Sequence, residues 1–99
     1  MVRANSWSMR DVGIAMNDEL VVDRLLEAEN EDIVIAVINN DFTVKTLVIE
    51  QHDTGRKVWL RAENPDFQSI YPNDGEEIMI WGVVTWDLKR LYRRRQLCS

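Results

Sequence analysis

Cysteine and histidine are nearly absent from this chain of 99 residues, which has one of each, Cys98 and His52. A lone thiol cannot close an internal disulfide, so an intracellular, cytoplasmic setting is the simplest inference. One Cys and one His do not supply the ligand sets of zinc sites, and no metal is expected. Glycine is equally sparse: four scattered residues form no phosphate-cradling loop, so no nucleotide or other cofactor is expected. No apolar run approaches the roughly 18 residues of a membrane-crossing helix, and the first residues do not resemble a signal peptide. A Ser-His-Asp triad would have to recruit His52, which falls in a turn between two predicted strands.

Charge is unevenly spread. Residues 1–87 carry 17 acidic and 7 basic side chains, a balance of −10, whereas residues 88–99 carry 5 basic side chains and no acidic one. The acidic body argues against a broad DNA-binding face, since phosphate contact requires a positive surface, and no sequence-specific DNA contact is expected of it. The basic end reads either as a solvated terminus or as a contact for nucleic acid or an acidic partner. The length suits one domain, 1–99, with its core in 1–91 and a basic tail over 92–99.

The periodicity predicts a mainly β domain of short, hairpin-linked antiparallel strands. "ELVVD" (19–23) is a short apolar run. "DIVIAVI" (32–38) is β-branched and apolar on both faces, the pattern of a strand buried on both sides. Asn39-Asn40 accepts the left-handed backbone of a tight hairpin, so "DFTVKTLVIE" (41–50) returns antiparallel. "QHDTG" (51–55) is a second turn pivoting on Gly55, and "RKVWLRAE" (56–63) alternates as a third strand. Residues 64–77 hold both prolines and read as loop with one short extended piece. "IMIWGVVTW" (78–86) is the most β-prone segment and is expected to be a core strand. Residues 21–31 have some helical spacing without a clean cap, and read either as a helix or as strand followed by loop.

One cation breaks the pattern. Period two puts Phe42, Val44 and Thr46 on one face of the 41–50 strand, and Thr43, Lys45, Leu47 and Ile49 on the other. Lys45 thus shares an apolar row with Leu47 and Ile49. Either it lies near an edge and snorkels to water, or it is desolvated. A desolvated lysine loses its proton readily and can serve as a general base, and a neutral lysine can activate a serine in place of histidine. Ser8, in "ANSWSMRDVGI" (4–14), is the serine that such a base would activate.

These two segments resemble the signatures of the LexA/UmuD family of self-cleaving serine peptidases. Val2 to Ile14 is similar to the strand and Gly-x-Ser-Met segment that carry the family's nucleophile. "DFTVKTL" (41–47) is similar to its Thr-Val-Lys-x-Leu strand, and the separation of Ser8 from Lys45 matches the family's without a gap. "LRAENPDFQSI" (60–70) and "IWGVVT" (80–85) resemble later strands, the second leaning towards UmuD. The resemblance implies that Ser8 is the nucleophile, Lys45 the base, and the backbone N–H groups of Trp7 and Ser8 the oxyanion donors. It also implies a homodimer, activation by a recombinase filament on single-stranded DNA, and a translesion DNA polymerase subunit as partner. The alternative is the C-terminal dimerisation and self-cleavage domain of a LexA-like or phage repressor. The sequence shows no helix-turn-helix and no small-residue–Gly cleavage bond ahead of the nucleophile segment, so it is expected to be either a trimmed piece or the processed form of a UmuD-like protein. Ser6 stands where the family has glycine, and Asn17, Glu31 and Asn40 stand where glycine is common in turns. Trp7 either lines the cleft or covers apolar surface.

Overall fold

Alternating, β-branched segments separated by turn residues form strands, and strands must find neighbours for their backbone groups. In a computed structural model of the chain, which describes residues 2–4, 6–72 and 78–88, they do so in one six-stranded sheet. The strands are β1 (Val2–Arg3), β2 (Glu19–Asp23), β3 (Ile33–Ile38), β4 (Asp41–His52), β5 (Gly55–Arg61) and β6 (Met79–Leu88). They lie in the order β1-β2-β6-β3-β4-β5, and every neighbouring pair is antiparallel. The mainly β expectation is met. The segment 21–31 is strand and then loop, the second of its two readings. Among the described residues no helix is long and apolar enough to cross a membrane. The basic tail, 92–99, lies outside the described residues.

Both hairpins sit where the turn residues put them. Asn39 and Asn40 have φ of 50° and 69°, and they join Ile38 and Asp41, which face each other across a two-residue loop. Gly55, at φ 136°, opens β5 opposite His52, the last residue of β4. His52 is therefore strand end rather than turn, and it is exposed beside Glu50 at 3.0 Å. All three residues that stand where turn glycines were expected are left-handed: Asn17 at φ 72°, Glu31 at φ 73° and Asn40. Glu31 is an uncomfortable choice there. Its position is held by its N–H to the Leu47 carbonyl and its carboxylate to Arg61.

The core divides in two. Val34, Ala36, Leu47, Leu60 and Val83 form one buried cluster, and Ala4, Met9, Ile14 and Leu20 form another, with Val22, Ile33, Val44 and Val84 packed against it. β6 contributes to both, and it bulges twice. Its register slips by one residue at Trp81 against β3 and at Thr85 against β2, and each bulge bends the strand and raises its twist. Val83 and Val84 then feed different clusters. The expected core strand is central in the sheet, but only Gly82 and Val83 are fully buried along it, while Met79 and Trp86 are 64% and 69% exposed.

Gly82 sits between the bulges, against the end of β2. A Cβ at this position would overlap Val22 Cγ1 and approach the Asp23 carbonyl to 3.3 Å. Gly82→Ala is expected to cost about 1–3 kcal/mol, the usual penalty of overpacking. Val22→Ala should recover part of that cost in the double mutant, because the two changes share one contact. Denaturant unfolding of the four proteins checks this, and strict additivity would contradict it.

Candidate active site

Ser8 and Lys45 lie 37 residues apart, and the fold brings them together through the loop that follows β1. After Arg3 the chain is held by two backbone bonds, Ala4 N–H to the Asp18 carbonyl at 2.8 Å and Asn17 N–H to the Ala4 carbonyl at 2.7 Å. It then closes a tight turn, Arg10 N–H to the Trp7 carbonyl at 3.1 Å, and a short 3-10 turn over Arg10–Val12 ends at Gly13 with φ 91°. Met9 is the anchor. It is 1% exposed and packs with Ala4, Ile14 and Leu20, which pins its neighbour Ser8 at the rim of that cluster. A methionine fits such an irregular gap because its unbranched chain adapts.

Lys45 occupies the place where β4 loses its outer neighbour. Leu47 donates to the Asp32 carbonyl and accepts from the Glu31 N–H, both on the β3 side. Alternation along a strand turns the carbonyl of Val44 the other way, towards β5. The pairing with β5 ends at Thr46 and Arg61, so the Val44 carbonyl lies beyond it. There the Lys45 amine folds back to it at 3.2 Å, and also reaches Thr43 Oγ1 at 2.6 Å and Ser8 Oγ at 3.0 Å. Lys45 is 7% exposed and Ser8 3%. The lysine is thus at a local edge, as one reading of the sequence allowed, yet it does not reach water, because the Ser8 loop covers that edge.

The segment after β5 secures the loop. Glu63 donates its N–H to the Ser8 carbonyl at 2.8 Å and accepts from the Asp11 N–H at 2.7 Å. Asn64, itself buried, donates Nδ2 to the Trp7 carbonyl at 2.8 Å while its Oδ1 accepts from the Asp66 N–H. Arg61 clamps the approach by bonding both Glu31 and Glu63. These bonds raise the arginine pKa and hold the Glu31 carboxyl below the usual range.

Desolvation lowers the pKa of Lys45 from its ordinary value. Its three neighbours suit either protonation state. A charged amine has three N–H donors for three oxygens. A neutral one donates to the Val44 carbonyl and Thr43 hydroxyl and takes the Ser8 O–H on its lone pair. Ser6 adds a further bond: its Oγ accepts from the Ser8 N–H at 3.1 Å and lies 3.0 Å from Ser8 Oγ. Ser6, Ser8, Met9, Thr43 and Val44 border a small cavity of about 20 Å³. A larger groove of about 300 Å³ shares Thr43 and Val44 with it and runs between β1 and the Phe42–Trp81 aromatic pair. Trp7 is 45% exposed, and its side chain borders neither.

The model of the family described as peptidase S24-like matches residues 1–85. The chain belongs to that family. It is 39% identical over 89 residues to Protein ImpA of Salmonella typhimurium, covering 90% of this chain and 57% of the relative. Protein MucA of Salmonella typhimurium is 42% identical over 88 residues, 88% of this chain and 57% of the relative. LexA repressor 1 of Pseudomonas syringae pv. tomato is 41% identical over 91 residues, 91% of this chain and 43% of the relative. The chain spans about half the length of these curated relatives. Within this S24 domain, the sequence pattern singled out Ser8 and Lys45, and the family resemblance added the Trp7 and Ser8 amides. Both missed Thr43, Glu63 and Asn64. Only Asn64 left a signal, since Asn two residues before Asp66 in a loop marks an Asx turn.

The Lys45 shift has a direct stability consequence. Its folded pKa lies below the unfolded value, so the unfolded chain binds more protons between the two, and this group makes stability rise with pH across that window. Lys45→Met removes the titration. The stability of the wild type relative to Lys45→Met is therefore expected to rise between pH 7 and pH 10, measured by denaturant unfolding at each pH. Parallel curves would mean that Lys45 titrates as an ordinary lysine.

Proposed function

We propose that this domain is a serine-lysine peptidase, with Ser8 as nucleophile and Lys45 as general base. The observation that carries the reading is the 3.0 Å contact between Lys45 Nζ and Ser8 Oγ inside a buried site. Neutral Lys45 takes the Ser8 proton as Oγ bonds the scissile carbonyl carbon. The carbonyl electron pair moves to oxygen, and the amides of Trp7 and Ser8 are the donors that would hold the resulting oxyanion. Lys45 then passes its proton to the departing amine, leaving an acyl-serine that water releases by the same steps in reverse. The groove beside Thr43 and Val44 is suited to the residues flanking the scissile bond.

The substrate in this reading is a small-residue–Gly bond in an arm of the longer protein. Similarity to ImpA and MucA supports a UmuD-like role: an SOS-response protein, activated by a recombinase filament on single-stranded DNA, whose processed form serves an error-prone translesion polymerase as a dimeric accessory subunit. Similarity to LexA repressors keeps the repressor C-terminal domain as the second reading, since identities near 40% fall on both kinds of relative.

Cleavage of an arm peptide supplied in trans is expected to be slow, to accelerate with rising pH as Lys45 loses its proton, and to stop with Ser8→Ala. The chemistry is measured by product formation across pH 6–10. Cleavage that survives Ser8→Ala would remove the nucleophile assignment. Dimerisation has a separate observable. Met79 and Trp86 expose apolar surface on one strand, so sedimentation equilibrium at micromolar protein is expected to give twice 11.6 kDa. A monomer at that concentration would contradict it.

A further inference from the structure

The N–H of Ser8 already has a ligand. Ser6 Oγ accepts from it at 3.1 Å and stands 3.0 Å from Ser8 Oγ. An oxyanion hole needs its donor about 2.7–3.1 Å from the oxygen that gains charge, and that oxygen is one carbon away from the attacking Oγ. The Ser6 oxygen occupies this neighbourhood, near both the donor and the nucleophile. One N–H cannot serve two oxygens so close together at full strength, and the adjoining cavity of about 20 Å³ has little room for both. The Ser6 O–H can in turn donate to Ser8 Oγ, engaging a lone pair of the nucleophile. A glycine at this position would carry no hydroxyl to do either.

We propose that the Ser6 hydroxyl is a resident plug of the oxyanion site, an autoinhibitory contact that a substrate carbonyl must displace before Ser8 can react. The inference rests on the peptidase reading and adds a positioning residue to it. Displacement needs only rotation about the Ser6 Cα–Cβ bond, which turns the oxygen off the Ser8 N–H. No bond is made or broken in that step. Its cost is one hydrogen bond, which falls on the chemical step rather than on binding of the flanking peptide.

The test compares the wild type with Ser6→Ala and Ser6→Thr. Ser6→Ala keeps Cβ and removes the plug, so kcat for the arm peptide is expected to rise about two- to tenfold, with KM little changed. Ser6→Thr restores a hydroxyl and should return kcat towards the wild type. Amide hydrogen exchange gives a readout independent of cleavage: the Ser8 N–H should lose protection in Ser6→Ala while the Asp11 N–H, bonded to the Glu63 carbonyl, keeps its own. Ser8-dependent cleavage that is no faster in Ser6→Ala, or unchanged Ser8 protection, overturns the plug and leaves the peptidase reading intact. Absence of Ser8-dependent cleavage from both proteins overturns the reading itself, and the inhibitory role of Ser6 with it.

Discussion

An amine kept from water at the broken edge of a strand organises this domain. Burying Lys45 is unfavourable for its charge, and among the described residues the amine is bonded by neutral oxygens rather than by a carboxylate: the Val44 carbonyl, the Thr43 hydroxyl and the Ser8 hydroxyl. A carboxylate at hydrogen-bond distance would hold the lysine charged. Neutral oxygens leave desolvation as the cause of the shift, and it acts downward. The departure of β5 after Arg61 exposes the Val44 carbonyl. The Ser8 loop then covers the amine that bonds to it, and Glu63 and Asn64 fasten that loop.

Much of this was legible in the chain because it depends on local rules. Asn39-Asn40 and Gly55 announced their hairpins, and β-branched alternation announced the strands between them. A lysine in the row of Leu47 and Ile49 signalled a desolvated cation, although periodicity alone did not distinguish burial from snorkelling. That distinction required knowing that a loop 37 residues upstream covers the edge. The bulges at Trp81 and Thr85 were not legible, because a single extra residue leaves no local mark in a run as uniformly β-prone as 78–86. They decide which valine feeds which core cluster. The role of Glu63 was likewise invisible, since it acts through its backbone.

Ser6 stood out in the sequence only as a serine where the resembled motif has glycine. In the folded domain its hydroxyl accepts from the Ser8 N–H. This S24 domain thus holds Lys45 and Ser8 within bonding distance while the Ser8 amide is engaged by Ser6.

The central claim is that burial holds the pKa of the Lys45 amine below that of an ordinary lysine. NMR titration of the Lys45 side chain, followed at Cε and Nζ in the folded wild-type domain, measures this directly. The account predicts a midpoint clearly below that of the other lysines. A Lys45 midpoint at the ordinary lysine value near 10.5 would contradict it, because the amine would then be a charged structural group and not a base.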